Sequence, residues 1–186
     1  MSKGSIGQRL LCSLGCVAGM MCTAVRADDC VTAAPTPMFS TARHDIEAHR
    51  FVRKSGHEAV ERFRLGTDTQ VRVAHGGCEY VVARFRFASP GLFADRYADA
   101  LAYEQAAALL GRLRALRPAR DFDFDLGLAR KTLLEAARRK RPPALGEELR
   151  VRGDGVAPLE AVLQVEAAGR RGAGGFVDVT LFRGPL

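Results

Sequence analysis

Between Ala59 and Phe87 the sequence alternates apolar and charged residues with a period of two, and this stretch constrains the fold more than any other. Residues 59–65 put Phe63 and Leu65 on one side and Arg62 and Arg64 on the other. Residues 69–74 set Val71 and Val73 against Arg72. Residues 79–87 set Val81, Ala83, Phe85 and Phe87 against Tyr80, Val82, Arg84 and Arg86. An extended strand sends successive side chains to opposite faces. The intervening "GTD" and "HGG" are turn sequences. Three such runs with short turns predict an antiparallel meander with one buried face. The run before them, "DIEAHRFVRK" (45–54), fits a further strand, with a short helix as the alternative.

The period then switches. From about Ala94 to Leu116, apolar residues including Leu101, Leu109, Leu110 and Leu113 recur near helical spacing, and Pro118 ends the run. A second helix is expected from about Leu126 to Lys140. Asp125 would cap its start, "RRKR" (138–141) would suit the negative end of its dipole, and Pro142–Pro143 would stop it. Between the helices, "DFDFD" (121–125) spaces its acids like the first three ligands of a calcium loop. The sharp-turn glycine comes one residue late, at Gly127, and Thr132 stands where a bidentate Glu belongs. The better reading has Phe122 and Phe124 anchoring the linker while the acids face water. Period two returns over 147–152, 159–167 and 176–182, with "RRGAGG" (170–175) as a flexible turn. Meander, two helices, meander: this is an α+β pattern, expected as one antiparallel sheet of about six strands with both helices on its apolar face.

The first 27 residues stand apart. Lys3 and Arg9 precede an uncharged apolar run, "LLCSLGCVAGMMCTAV", and Val25 and Ala27 supply the small residues of a cleavage site. Charged head, apolar middle and small-residue end describe a secretory signal peptide. Residues 28–186 are then one exported domain, periplasmic or secreted. Loss of Lys3, Arg9 and Arg26 lowers the formal charge of +7 to about +4. That is too mild, and too dispersed, for a chain built to wrap nucleic acid.

Export also changes the cysteine count. Cys12, Cys16 and Cys22 leave with the signal peptide, and Cys30 and Cys78 remain. In an oxidising compartment two thiols are expected to form a disulfide. It would tie the Pro/Ala/Thr-rich segment 31–42 to the turn before a strand. The alternative, a Cys78 nucleophile activated by His75, requires a thiol that stays reduced.

An early cysteine after a signal peptide, "GGCEY" followed by "FRF", and then two helices together resemble small exported proteins of Gram-negative bacteria with no assigned activity. The resemblance implies the bacterial envelope and brings no active-site residues with it.

Two clusters are candidates for a site. His44, His49 and His57 lie close together with Asp45 and Glu47 among them. In a regular strand Asp45, Glu47 and His49 would project on one side, as a metal edge would. An envelope metalloenzyme, a hydrolase, is the alternative reading that follows. The leading reading uses Arg62, Arg64, Arg72, Arg84 and Arg86, which fall opposite the apolar side of three neighbouring strands, with Tyr80 beside them. Arg and aromatic residues are enriched where proteins dock. No phosphate-loop or dinucleotide fingerprint and no G-x-S-x-G element is present, so no cofactor is expected. The sequence thus points to a non-catalytic binding or inhibitor-type protein of the envelope. Its partner would be a protein or an anionic envelope component, with contact to a membrane surface allowed through the basic residues of 130–141.

Overall fold

The computed structural model describes residues 32–39, 45–93, 98–152 and 161–184. The segment 1–27, Cys30 and His44 lie outside the described residues. The elements run β1 (Ile46–Arg53), β2 (Ala59–Leu65), β3 (Thr69–Gly76), β4 (Val81–Ser89), α1 (Asp99–Ala115), α2 (Leu126–Ala137), β5 (Glu148–Val151), β6 (Ala161–Arg171) and β7 (Gly174–Arg183). All seven strands join one antiparallel sheet in the order β1-β2-β3-β4-β7-β6-β5. The α+β expectation holds, with seven strands rather than about six. Two four- and three-stranded halves meet where β4 pairs with β7.

The alternation read in the sequence is the alternation of the sheet's two faces. Phe63, Leu65, Val71, Val73, Ala83, Phe85 and Phe87 are all buried in one core with Leu163, Val165, Val177, Val179 and Leu181. Helices α1 and α2 pack on each other and on the β5-β6-β7 half of this inner face. Gly111 of α1 stands against Arg130 of α2 so closely that a Cβ would come within 3.1 Å of its side chain. The Asp125 cap is as expected: its Oδ1 accepts from the N–H groups of Gly127 (2.7 Å) and Leu128 (3.1 Å). Helix α2 ends at Ala137, sooner than Lys140, and Arg138 is already its C-cap. The "RRKR" cations therefore lie mostly past the helix.

The inner face of β1-β2-β3 is covered by chain rather than by helix. An N-terminal arm, residues 32–39, crosses it and buries Met38 and Phe39. Phe39 meets Phe63 edge to face at 5.3 Å. The interhelix linker adds Phe122, edge to face with Phe85 at 6.4 Å, and the buried Phe124. The linker's acids have separate tasks. Asp121 accepts from the Thr36 hydroxyl, Asp123 pairs with Arg183 at 2.8 Å, and Asp125 caps α2. They do not converge as cation ligands would.

The turns correct two boundaries. The β6–β7 connection is only Gly172–Ala173, because Arg171 already pairs with Gly174. Gly172 has φ 60° at the first central position, as a tight two-residue hairpin requires. Strand β4 begins at Val81, so Tyr80 belongs to the turn after β3 rather than to the strand. Gly77 opens that turn at φ 117°, where a Cβ would fall 1.6 Å from the carbonyl oxygen of Tyr80.

Candidate functional site

Among the described residues no helix covers the outer face of the sheet, and its β1–β4 half is cationic. Strand pairing sets Arg50 opposite Arg62, Arg62 opposite Arg72, Arg72 opposite Arg86, and Arg86 opposite Asp178. Four arginines thus form one row across four neighbouring strands. Directly opposed like charges destabilise a sheet unless something compensates them. Compensation within the chain is partial. Arg64 pairs with Glu47 at 2.7 Å, Arg86 with Asp178 at 3.5 Å, and Arg84 with Glu166 at 4.0 Å. Arg86 also lies over the Phe176 ring, 4.9 Å from its centroid. Among the described residues, the side chains of Arg50, Arg62 and Arg72 make neither a hydrogen bond nor a salt bridge, though Arg72 acts on Asp178 at longer range. Burial holds the Asp178 carboxyl above its ordinary pKa; Arg86 and Arg72 pull it down and Glu166 adds to the rise.

A depression of about 440 Å³ opens in this half, lined by Ala48, Arg62, Arg64, Gln70, Arg72, Arg86 and Ala88 among others. It exists because Ala48 and Ala88 are short where their neighbours are long. Four of the arginines expected to share a face line this one depression. Tyr80 and Arg84 do not. They line a second, with Val82, Glu166, Thr180 and Phe182, nearer the β3–β4 turn. Tyr80 is 42% exposed and is the only large apolar side chain in that state among the described residues.

The histidines are arranged differently from the expected metal edge. Strand β1 shifts register between Glu47 and Arg50, and Ala48 takes φ 52°. This bulge turns Glu47 outward to Arg64 and His49 inward, so Asp45, Glu47 and His49 do not form one row. His49 meets Glu61 instead, Nε2 to Oε1 at 2.7 Å. His75 approaches the other oxygen, Nε2 to Oε2 at 3.2 Å. His57 sits in the β1–β2 turn, where its N–H donates to Ser55 Oγ. Among the described residues no group of three or more His, Cys, Asp or Glu is placed to hold a metal ion.

Glu61 is the residue that sequence reasoning passed over. It is fully buried on the inner face of β2, in the phase of Ala59, Phe63 and Leu65. The N–H groups of Met38 and Phe39 donate to Oε2 (2.7 Å) and Oε1 (3.2 Å). Burial raises its pKa, but hydrogen bonds from His75, His49, Met38 and Phe39 outweigh it and hold the carboxyl below its ordinary value. An ionised carboxylate only accepts, so both imidazoles present Nε2–H to it. The signal was a charged residue at an apolar position of "AVERFRL", with His75 continuing the phase of Val71 and Val73.

Cys78, in the turn after β3, is disulfide-bonded. The Thr32 hydroxyl donates to the carbonyl of Gly77 beside it, at 2.9 Å. No protein-family description matches this chain, and no curated protein or solved structure does so either.

Proposed function

We propose that the protein is a non-catalytic binding protein of the bacterial envelope, exported to the periplasm or beyond, that captures an acidic partner on the arginine half of its open sheet face. The observation that carries this reading is the row Arg50, Arg62, Arg72 and Arg86, opposed across four strands with only Arg86 in a salt bridge among the described residues. A solvated face gains nothing from such a row, whereas an anionic partner converts the repulsion into attraction and directs encounter. The histidines fit a structural role, since His49 and His75 are committed to Glu61. Export and a Cys30–Cys78 disulfide belong to the same reading. Thr32 at Gly77 supports the pairing, because it brings the chain to within two residues of Cys30 beside Cys78.

Crosslinked capture from a native envelope extract tests the proposal. The triple variant Arg62→Glu, Arg72→Glu, Arg86→Glu should fold as the parent does and lose the captured species. Undiminished capture by the folded variant would overturn it.

A further inference from the structure

We infer that the depression between Arg62, Arg64, Arg72 and Arg86 is a site for a phosphomonoester dianion, the group through which the partner is recognised. The inference rests on the binding role proposed above and names the chemistry of its ligand. Three features favour this group. The first is charge. Four arginines of the depression face two carboxylates: Glu47 pairs with Arg64, and Asp178 pairs with Arg86 and also acts on Arg72 at longer range, which leaves an excess of two positive charges. A phosphomonoester above its second pKa of about 6 carries close to two negative charges. A carboxylate or a phosphodiester carries one.

The second feature is spacing. Arg62 and Arg72 are directly opposed on paired strands, and paired strands lie about 4.8 Å apart. Two guanidinium forks at that separation reach different oxygens of one tetrahedral group, whereas one fork saturates a planar carboxylate. The third is shape. The short side chains of Ala48 and Ala88 and the amide-bearing Gln70 line the space beside the arginines. At about 440 Å³ the space takes a phosphoryl group together with part of the sugar or alkyl unit that bears it. Arg50, opposite Arg62, extends the cationic row beyond the rim.

The test is a titration of the purified protein with methyl phosphate, dimethyl phosphate and acetate at pH 7.5 and constant ionic strength, following the arginine Nε–Hε signals by NMR. Methyl phosphate should shift the Arg62 and Arg72 signals saturably and bind about tenfold more tightly than either monoanion. The pair Arg62→Lys, Arg72→Lys keeps the charge and removes the forks, and should lose most of that preference. Arg139→Ala, in the exposed segment after α2 and outside the depression, should leave it unchanged. Equal affinity for all three anions, or an unsaturable response, would overturn the inference. If methyl phosphate fails while the arginine-dependent capture persists, the phosphate site is wrong and the binding role stands. If both fail, both are wrong.

Discussion

Water is replaced around the Glu61 carboxylate by four donors, and that replacement is what lets a charge sit at zero exposure in the inner layer. The group gathers three parts of the chain: the arm through Met38 and Phe39, β1 through His49, and β3 through His75. Glu61→Gln keeps the volume but offers one acceptor oxygen and an N–H pair where four donors converge. The expected cost is on the order of 2–4 kcal/mol, read by denaturant unfolding. Amide exchange at Met38 and Phe39 should quicken in the same variant. The pH dependence follows from the direction of the shift. The folded carboxyl titrates below its ordinary value of 4.5, so its contribution is complete above that value and is lost as pH falls through the folded pKa. The parent should therefore lose stability more steeply than Glu61→Gln on acidification below about pH 4.5. Parallel acid curves for the two proteins would contradict this.

At the scale of single elements, β1 holds the feature that decides which side chains meet. One extra residue at Ala48 separates Glu47 and His49 onto opposite faces. A bulge of this kind re-aims every side chain that follows it. Its sequence trace is slight, because a single alanine in "IEAHRF" marks no turn and breaks no alternation that was clear beforehand. Strands β2, β3 and β4 were legible because each alternates cleanly between core and arginine. In β1 the burial pattern is irregular, and the metal-edge expectation failed there for that reason. Ala48 holds a left-handed backbone that costs an L-residue about 1–2 kcal/mol. Ala48→Gly should accordingly raise stability by up to about 1 kcal/mol, after the greater chain entropy of glycine is subtracted. Deleting Ala48 should leave the His49–Glu61 bond in place, since His49 then follows Glu47 directly and still faces inward in regular alternation. Thermal unfolding of the parent and Ala48→Gly checks the first expectation: a glycine variant less stable than the parent would contradict it.

Across the whole molecule, periodicity told which residues face the core but not which strands are neighbours. The β4–β7 pairing joins residues that are 86 (Ser89 and Gly175) to 102 (Val81 and Arg183) positions apart, and nothing in either strand's alternation names the other. The same limit hid the site. Arg62, Arg72 and Arg86 were legible as one face, but their alignment into a row depends on register, and Tyr80 left the row because β4 begins one residue after it. The arm was legible only as a segment needing a tether. Its hold proves to be distributed. Thr32 reaches Gly77, Arg53 donates to the Pro35 carbonyl, Thr36 donates to Asp121, and the Met38 carbonyl accepts from Ala119. A covalent link from Cys30 to Cys78 would add to these by closing a loop of about 49 residues, for which the chain-entropy estimate is roughly 4 kcal/mol. Because non-covalent bonds already fix the arm, its loss should act mainly on the unfolded chain. Cys78→Ser is thus expected to lower unfolding stability by up to about 4 kcal/mol while leaving the Glu61 hydrogen bonds and the arginine face in place. Intact mass of the parent should show the chain two units lighter than its reduced form. A Cys78→Ser protein as stable as the parent, or a parent with two free thiols, would refute the staple. An arm that becomes exchange-labile in Cys78→Ser would instead show that the disulfide, and not Glu61, is what holds residues 32–39 on the sheet.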